Sequence, residues 1–511
     1  MQKRLYPIGQ QDFPELINDG KVYVDKTMYA YTILTTNKYY FLSRPRRFGK
    51  SLFISTLESI FKGNKSLFEG LYIHDKWKFE EYPIIRISFS NIGYRTMGLS
   101  EAIAHELDAI GSRHQIKLKS EKAYISSLFR ELIVELQSKY NQNVVILIDE
   151  YDKPIIDYLD KEKIDIAKQN RDILKTFYSI LKDADPYLKL VFVTGVSKFS
   201  KVSIFSDLNN LNDISLDLAY NEICGISQKE LEEYFPEELK LVDAKKMREW
   251  YNGYKFHIRG TSVYNPFSTL NFFQKDGDFQ NFWYTTGTPT FLMKMCRAQH
   301  FYKFDEVIVN AGDLSNFDIE NLQILPILFQ TGYITITGEN ALFRNYKLSF
   351  PNLEVKDSYL RNLADVYIDS PINTSSKILQ DLMLALQNKD SEALKATINL
   401  AFAQIPYSLW QKENEQFFHA IVHLLFSLMS VYIFSKVHTK SGRADAVVMY
   451  QDHIYCLEFK LNKSATQAIQ QLESKAYTER FLHTDKHLHH IGINFNSDKK
   501  AVDDVLWHEV K

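Results

Sequence analysis

Cysteine is scarce in this chain, with three among 511 residues. Cys224, Cys296 and Cys456 are far apart and odd in number, which argues against a disulfide framework or a zinc site and for buried free thiols in a reducing compartment. Long hydrophobic runs are missing too. The most apolar helical stretch, Ala420 to Phe434, is too short to cross a bilayer and carries His423, so a core helix is expected there and no membrane partner. The opening MQKRLYPIGQQDFPELI lacks the unbroken apolar run of a signal peptide, and a cytoplasmic protein is expected. Charge of one sign is absent: 61 Lys and Arg face 63 Asp and Glu, a net of -2, so any surface for nucleic acid has to be local. Neither an internal repeat of 20 to 50 residues nor a low-complexity tract occurs, which excludes solenoids and long disordered arms.

What is present is enough apolar and aromatic residue, 45% and 14%, to fill ordinary globular cores. At roughly 150 residues per domain the length implies about three domains. Between about Lys38 and Ser197, apolar runs alternate with amphipathic stretches: YYFL (Tyr39 to Leu42), PIIRISFS (Pro83 to Ser90), VVILID (Val144 to Asp149) and LKLVFVTG (Leu188 to Gly195). Runs that are apolar on consecutive residues suit strands covered on both faces, so this part reads as a parallel sheet with helices on each side, an α/β fold. From Gln228 to Arg344 amphipathic helices dominate, one of them capped by Ser227. Tyr333 and Thr335, then Ala341 and Phe343 across a Gly-Glu-Asn turn, predict a hairpin, so this middle segment is helical and winged-helix-like. Helices Ser376 to Asn388 and Ser391 to Phe402 lead to a tail that reads helix (NEQFFHAIVHLLFSLM), strand (YIFSKVHT), strand (RADAVVMY), strand (HIYCLEFKL), helix (SATQAIQQLESKAYTERFL) and strand (HLHHIGINFN). The expected division is 1–225, 226–350, a helical linker 351–402, and a mixed α/β domain 403–511.

RPRRFGKS, Arg44 to Ser51, ends like the phosphate loop G-x-x-x-x-G-K-[ST] but has Arg44 in place of the first glycine. It follows the strand YYFL and precedes a helical stretch with Leu52, Leu57, Ile60 and Phe61 on one face. A helix N-terminus offers unpaired N–H groups and positive partial charge to an anion. Gly49 would let the backbone approach closely, Lys50 would reach the terminal phosphates, and Ser51 would ligate Mg2+. VVILIDEYD delivers Asp149 and Glu150 to the end of a buried strand, Asp149 for the magnesium shell and Glu150 to orient or activate water. Thr194 and Ser197 fall at the same edge, where a hydroxyl could sense a γ-phosphate. The bland readings are a turn before a helix, a solvated strand end and a capping threonine. Arg46 and Arg47 could face phosphates, a neighbouring subunit or solvent. Asp25, in YVDKT, reads as a helix cap.

In the tail, Asp445 belongs to one strand and Glu458 and Lys460 to the next. Residues two apart share a strand face, so Glu458 and Lys460 project together while Tyr455, Leu457, Phe459 and Leu461 pack the other side. Two carboxylates that bind Mg2+, or Mn2+, with a lysine that positions the nucleophile, suit phosphodiester hydrolysis. The competing reading is a Glu458–Lys460 ion pair with Asp445 at an exposed edge. His483, His487, His489 and His490 straddle a turn and a strand without zinc-type partners.

YVDKT, RPRRFGKSL, LIDEYDKPI, TGVSKFSKVSIFSDLNNLNDIS, WYNGYKF and YNPFS, in that order, resemble the bacterial AAA-ATPase-like family whose members carry a C-terminal PD-(D/E)XK nuclease-like domain. The resemblance covers nearly the whole chain. It makes Arg44 a family trait, 1–225 a P-loop AAA-ATPase-like domain and 403–511 a nuclease-like domain of restriction-endonuclease type. It assigns ATP to the first site, where Arg46, Arg47, Phe48, Gly49, Lys50, Ser51 and Leu52 form the loop with Asp149 and Thr194 beside it. In the second, Glu415 and Gln471 fit the accessory carboxylate and glutamine around Asp445, Glu458 and Lys460. The implied protein is an ATPase coupled to a Mg2+-dependent nuclease acting on DNA or RNA, with a homo-oligomer as a further expectation. The rival expectation is a nucleotide-dependent switch whose tail binds nucleic acid or a protein without cleaving it.

Overall fold

Strands β1 (Tyr39–Ser43), β2 (Ile84–Ser88), β3 (Val144–Asp149), β4 (Leu188–Gly195) and β5 (Asn212–Asp213) form a sheet in the order β2-β3-β4-β1-β5. All its pairings are parallel. The computed structural model describes residues 4–198, 204–205, 208, 210–283, 290–299, 301, 307–310, 312–315, 319–340, 342–343, 345–368, 374–403, 421, 424–425, 446–450, 452–474, 481–482 and 484–510. The chain divides into two compact units, Met1–Thr286 with Phe304–Glu354, and Gly287–Lys303 with Val355–Lys511.

Every residue of β3 is buried, as expected of a strand covered on both faces. Helices Lys50–Phe61 and Ile125–Tyr140 pack on it. The second of these turns Ile125, Leu128, Phe129, Leu132, Ile133 and Leu136 inward, the i, i+3, i+4, i+7 stripe of an amphipathic helix. Phe129 stacks on Phe177 of helix Ile164–Asp183 at 4.5 Å. β2 departs from the sequence reading. Its residues alternate between half-buried and buried, because it is the outermost strand of the sheet, and Arg86 pairs with Glu58 on its less covered face. Asp25 stands one residue before Lys26, the N-cap of helix Thr27–Thr36, and its carboxylate accepts from Thr27 N and from Tyr72 N, each at 2.7 Å, so it also ties the helix start to a distant segment.

The same unit continues through β6 (Ile226–Ser227) and β7 (Val263–Tyr264) and a helical region around Leu231, Phe235, Met247, Tyr251 and Phe272. Ser227 caps helix Gln228–Tyr234 in a reciprocal capping box with Glu230. Helix Ile324–Thr331 ends at Gly332, whose φ of 89° makes glycine the favoured residue. β8 (Val307–Asn310), β9 (Thr335–Asn340) and β10 (Asn345–Ser349) then form an antiparallel sheet in the order β8-β10-β9. The expected hairpin is therefore present, but Gly338, Glu339 and Asn340 are strand residues paired with β10 and the reversal comes after them. Their turn-forming composition is overridden by the ladder.

In the second unit β11 (Ala446–Tyr450), β12 (His453–Leu461), β13 (His487–Asn496) and β14 (Ala501–Glu509) follow one another across a sheet. Only β12 and β13 pair in parallel, and helix Ala465–Ser474 makes the connection and packs on both. Helix Ser391–Ala403 covers β14, with Asn399 bonded to both backbone groups of Val502. Sequence reading missed β14. Its period-2 pattern is broken by Asp503, which the irregularity between Asn494 and Phe495 of β13 leaves unpaired. The helix and strand expected between 404 and 445 lie outside the described residues, except that Ile421, Leu424 and Leu425 are helical and buried. The cysteines are free and buried, and no described helix is long and apolar enough to cross a membrane.

Candidate nucleotide and nuclease sites

The register of the first sheet brings three strand ends level. Leu42 pairs with Thr194 and Ser43 with Gly195, while Ile148 pairs with Val193. The loop after β1, the carboxylates after β3 and the hydroxyl near the end of β4 thus share one sheet edge, the place where ligands bind in open parallel sheets.

Arg47 and Gly49, with φ of 65° and 93°, curl the loop so that Gly49 caps helix Lys50–Phe61. Gly49 is exposed and a Cβ there would meet nothing within 4 Å, leaving the backbone open to an approaching phosphate. Lys50 is buried, and its ammonium donates to Arg44 O at 2.9 Å and Pro45 O at 3.0 Å. Burial lowers its pKa, opposed by the charges of Asp149 and Glu150. Ser51 and Leu52 occupy the first turn, both half-buried. Arg44 does not face the ligand side. It is 1% exposed, and its guanidinium donates to Ser43 O, Ser215 O and Tyr220 O and lies 3.9 Å from the Phe256 ring centre. Burial lowers its pKa to about 10.

Asp149 is buried and accepts from Thr194 Oγ1 at 2.7 Å. Thr194 is itself fully buried, so in this structure its hydroxyl orients Asp149. Glu150 is half-buried with φ of 51°, a left-handed conformation uncommon for a residue with a Cβ. That turn lets Tyr151 N reach Thr194 O at 3.0 Å. It also brings Asp152, which the sequence reading passed over, onto the end of β4. The Asp152 carboxylate accepts from Val196 N at 3.0 Å and from Ser197 N and Oγ at 2.6 Å, and burial raises its pKa. The available signal was a third carboxylate three residues after Asp149, and Ser197 serves that carboxylate. Ser51 and Asp149 supply hard oxygen donors of the kind a magnesium ion takes, and the Asp149 carboxylate stands close enough to Lys50 to act on its charge.

In the second unit Ile454, Cys456 and Leu488 form one core with Ile469 and Leu472 of helix Ala465–Ser474. Glu458 continues that face, 2% exposed. Lys460 Nζ donates to Glu458 Oε1 at 2.9 Å, and Gln471 Nε2 donates to the same oxygen from the helix. Glu458, Lys460 and Gln471 are thus together; Asp445 and Glu415 lie outside the described residues. Across the sheet, His453 meets His489 at 2.9 Å between Nδ1 and Nε2, and burial takes His489 down to about 4. His483 lies outside the described residues, and among those described no group of three or more His, Cys, Asp or Glu is placed to hold a metal ion.

A five-stranded parallel sheet with a phosphate-type loop, followed by a mixed sheet carrying a glutamate–lysine pair, is the architecture of an AAA-ATPase-like protein with a nuclease-superfamily tail. Residues 7–205 match the family described as predicted AAA-ATPase, and 413–505 match the PD-(D/E)XK nuclease superfamily. The uncharacterized protein in the vnfD 5' region of Azotobacter chroococcum mcd 1 is 36% identical over 517 residues, covering 98% of each chain. No solved structure matches. The chain belongs to the family of AAA-ATPase-like proteins with a C-terminal PD-(D/E)XK nuclease-superfamily domain.

Proposed function

We propose that the chain is a cytoplasmic ATPase that governs a metal-dependent nuclease acting on DNA or RNA. The observation that carries the reading is that the loop before Lys50 and the carboxylates of Asp149 and Glu150 stand at one end of the same parallel sheet, in a chain that also joins Glu458, Lys460 and Gln471. The backbone N–H groups at the start of helix Lys50–Phe61 bind the phosphates of ATP. Lys50 exchanges the carbonyls of Arg44 and Pro45 for phosphate oxygens. Asp149 and Ser51 would hold Mg2+, and Glu150 orients the attacking water. In the tail Glu458, with Asp445, would hold Mg2+ or Mn2+, while Lys460 positions the nucleophile and Gln471 keeps the carboxylate in place. At both sites a bound cation supplies polarisation of a phosphoryl oxygen and stabilises developing charge.

Two measurements on the full chain test this. Lys50→Ala is expected to abolish ATP binding by calorimetry, and unchanged affinity would refute the nucleotide half. Glu458→Ala and Asp445→Ala are each expected to end cleavage of plasmid or oligonucleotide with Mg2+ or Mn2+. Cleavage that persists refutes the nuclease half, and ATP turnover without any cleavage by the unaltered protein favours a switch that only binds.

A further inference from the structure

The residues that replace the usual glycine-rich lead-in all touch the segment that follows the sheet. Arg44 lies on Phe256 at 3.9 Å, Arg47 is 5.0 Å from the Phe267 ring centre, and Phe48 meets Tyr254 edge-on at 4.8 Å. Pro45 fits against Gly332, where a Cβ would stand 2.7 Å from the proline Cβ. The backbone carbonyl of Arg46 accepts from Trp283 Nε1 at 3.1 Å. Each of these partners belongs to the first compact unit. The indole is 6% exposed and packs edge-on against Tyr333 at 5.2 Å.

Trp283 is anchored in turn. Its backbone N–H donates to the Glu354 carboxylate at 2.8 Å, which also accepts from Ser268 Oγ at 2.7 Å. Glu354 is fully buried. A second tie runs from the end of β4, where Lys198 N donates to Gln330 Oε1 at 2.8 Å and Gln330 Nε2 donates to Leu314 O at 2.9 Å. The chain leaves the first unit just after each end of the Trp283–Glu354 bond, at 286–287 and at 354–355.

We propose that Trp283 is a positioning residue for the nucleotide site: its indole N–H holds the phosphate loop by the Arg46 carbonyl, and Glu354 holds Trp283 by its backbone N–H. The inference rests on the nucleotide reading above. The loop's lead-in is held by tertiary contacts where a glycine-rich loop would rely on its own backbone freedom. ATP affinity therefore depends on the Trp283–Arg46 bond, through the placing of the loop's N–H donors.

The test is the dissociation constant of a non-hydrolysable ATP analogue for the full chain, read by calorimetry. Trp283→Phe keeps an aromatic ring against Tyr333 and removes only the donor. Loss of one hydrogen bond to a neutral carbonyl is expected to weaken binding about 3- to 10-fold. Glu354→Ala is expected to weaken it by a comparable factor, and adding it to Trp283→Phe, where no indole N–H remains to be placed, is expected to add less than about twofold. Glu354→Gln, which keeps an oxygen acceptor for Trp283 N and replaces Glu354→Ala if that variant does not fold, is expected to bind within about twofold of the unaltered chain. A Trp283→Phe protein that binds as tightly as the unaltered chain overturns the proposal, and so do effects that multiply in the double variant. Absence of binding by the unaltered chain overturns the nucleotide reading and this proposal with it, an outcome distinct from tight binding by both.

Discussion

Glu150 and Lys50 illustrate what single residues contribute. Glu150 accepts a left-handed backbone, φ 51°, that costs on the order of 1 kcal/mol for a residue with a Cβ. The return is position: the turn it makes brings Tyr151 N to Thr194 O and Asp152 to the end of β4. Exchanging only its carboxylate should separate chemistry from binding. Glu150→Gln is expected to bind ATP as the unaltered chain does and to lose about 100-fold or more in kcat, measured as phosphate release at saturating ATP. Equal turnover would remove Glu150 from the mechanism. The pattern DEYD displayed both Asp149 and Glu150 in advance, but gave no sign that Thr194 would be occupied with Asp149, since Thr194 and Asp149 are 45 residues apart and meet only through the β3–β4 pairing.

At the scale of elements, the start of helix Leu353–Ile368 carries a strongly perturbed carboxylate. Glu354 is fully buried, its bonds to Ser268 and to the backbone at Trp283 and Phe282 only partly offset desolvation, and its pKa rises to about 7. Between the unfolded value near 4.5 and the folded value near 7, the folded chain binds more protons than the unfolded one. Stability contributed by this group is therefore complete below about pH 4.5 and declines as pH rises to about 7, by on the order of 2 to 3 kcal/mol. Glu354→Gln is expected to flatten that part of the pH profile of denaturant unfolding, whatever its effect at any single pH. A profile with the same slope would assign the titration elsewhere. Strand β14 belongs to this scale as well: its bulge at Asp503 hid the alternation that would have announced it, whereas the uninterrupted β12 was plain.

For the whole molecule, the two candidate sites lie in different compact units, Lys50 in the first and Glu458 in the second. A ligand that binds only the folded state at about 100 times its dissociation constant stabilises it by about 2.7 kcal/mol. ATP with Mg2+ is thus expected to raise the calorimetric unfolding temperature of the unaltered chain and of Glu458→Ala equally, and to leave Lys50→Ala unmoved. A shift lost in Glu458→Ala would place nucleotide binding in the tail.

Much of the architecture follows from local order along the chain. The short consecutive apolar runs at 39–42, 144–149 and 188–195 suit strands covered on both faces, where neighbouring residues on opposite faces all need to be apolar. The alternation at 454–460 put Glu458 and Lys460 on one side for the same geometric reason. Long-range packing decided the rest. That Arg44 is a buried staple and not a phosphate ligand depends on Ser215, Tyr220 and Phe256, which are between 171 and 212 residues away in the chain. Trp283 reaches Arg46 across 237 residues. Periodicity is a property of neighbours in sequence, so it can assign a side chain to a face; which distant group fills the space beside that face is settled only when the chain has closed upon itself.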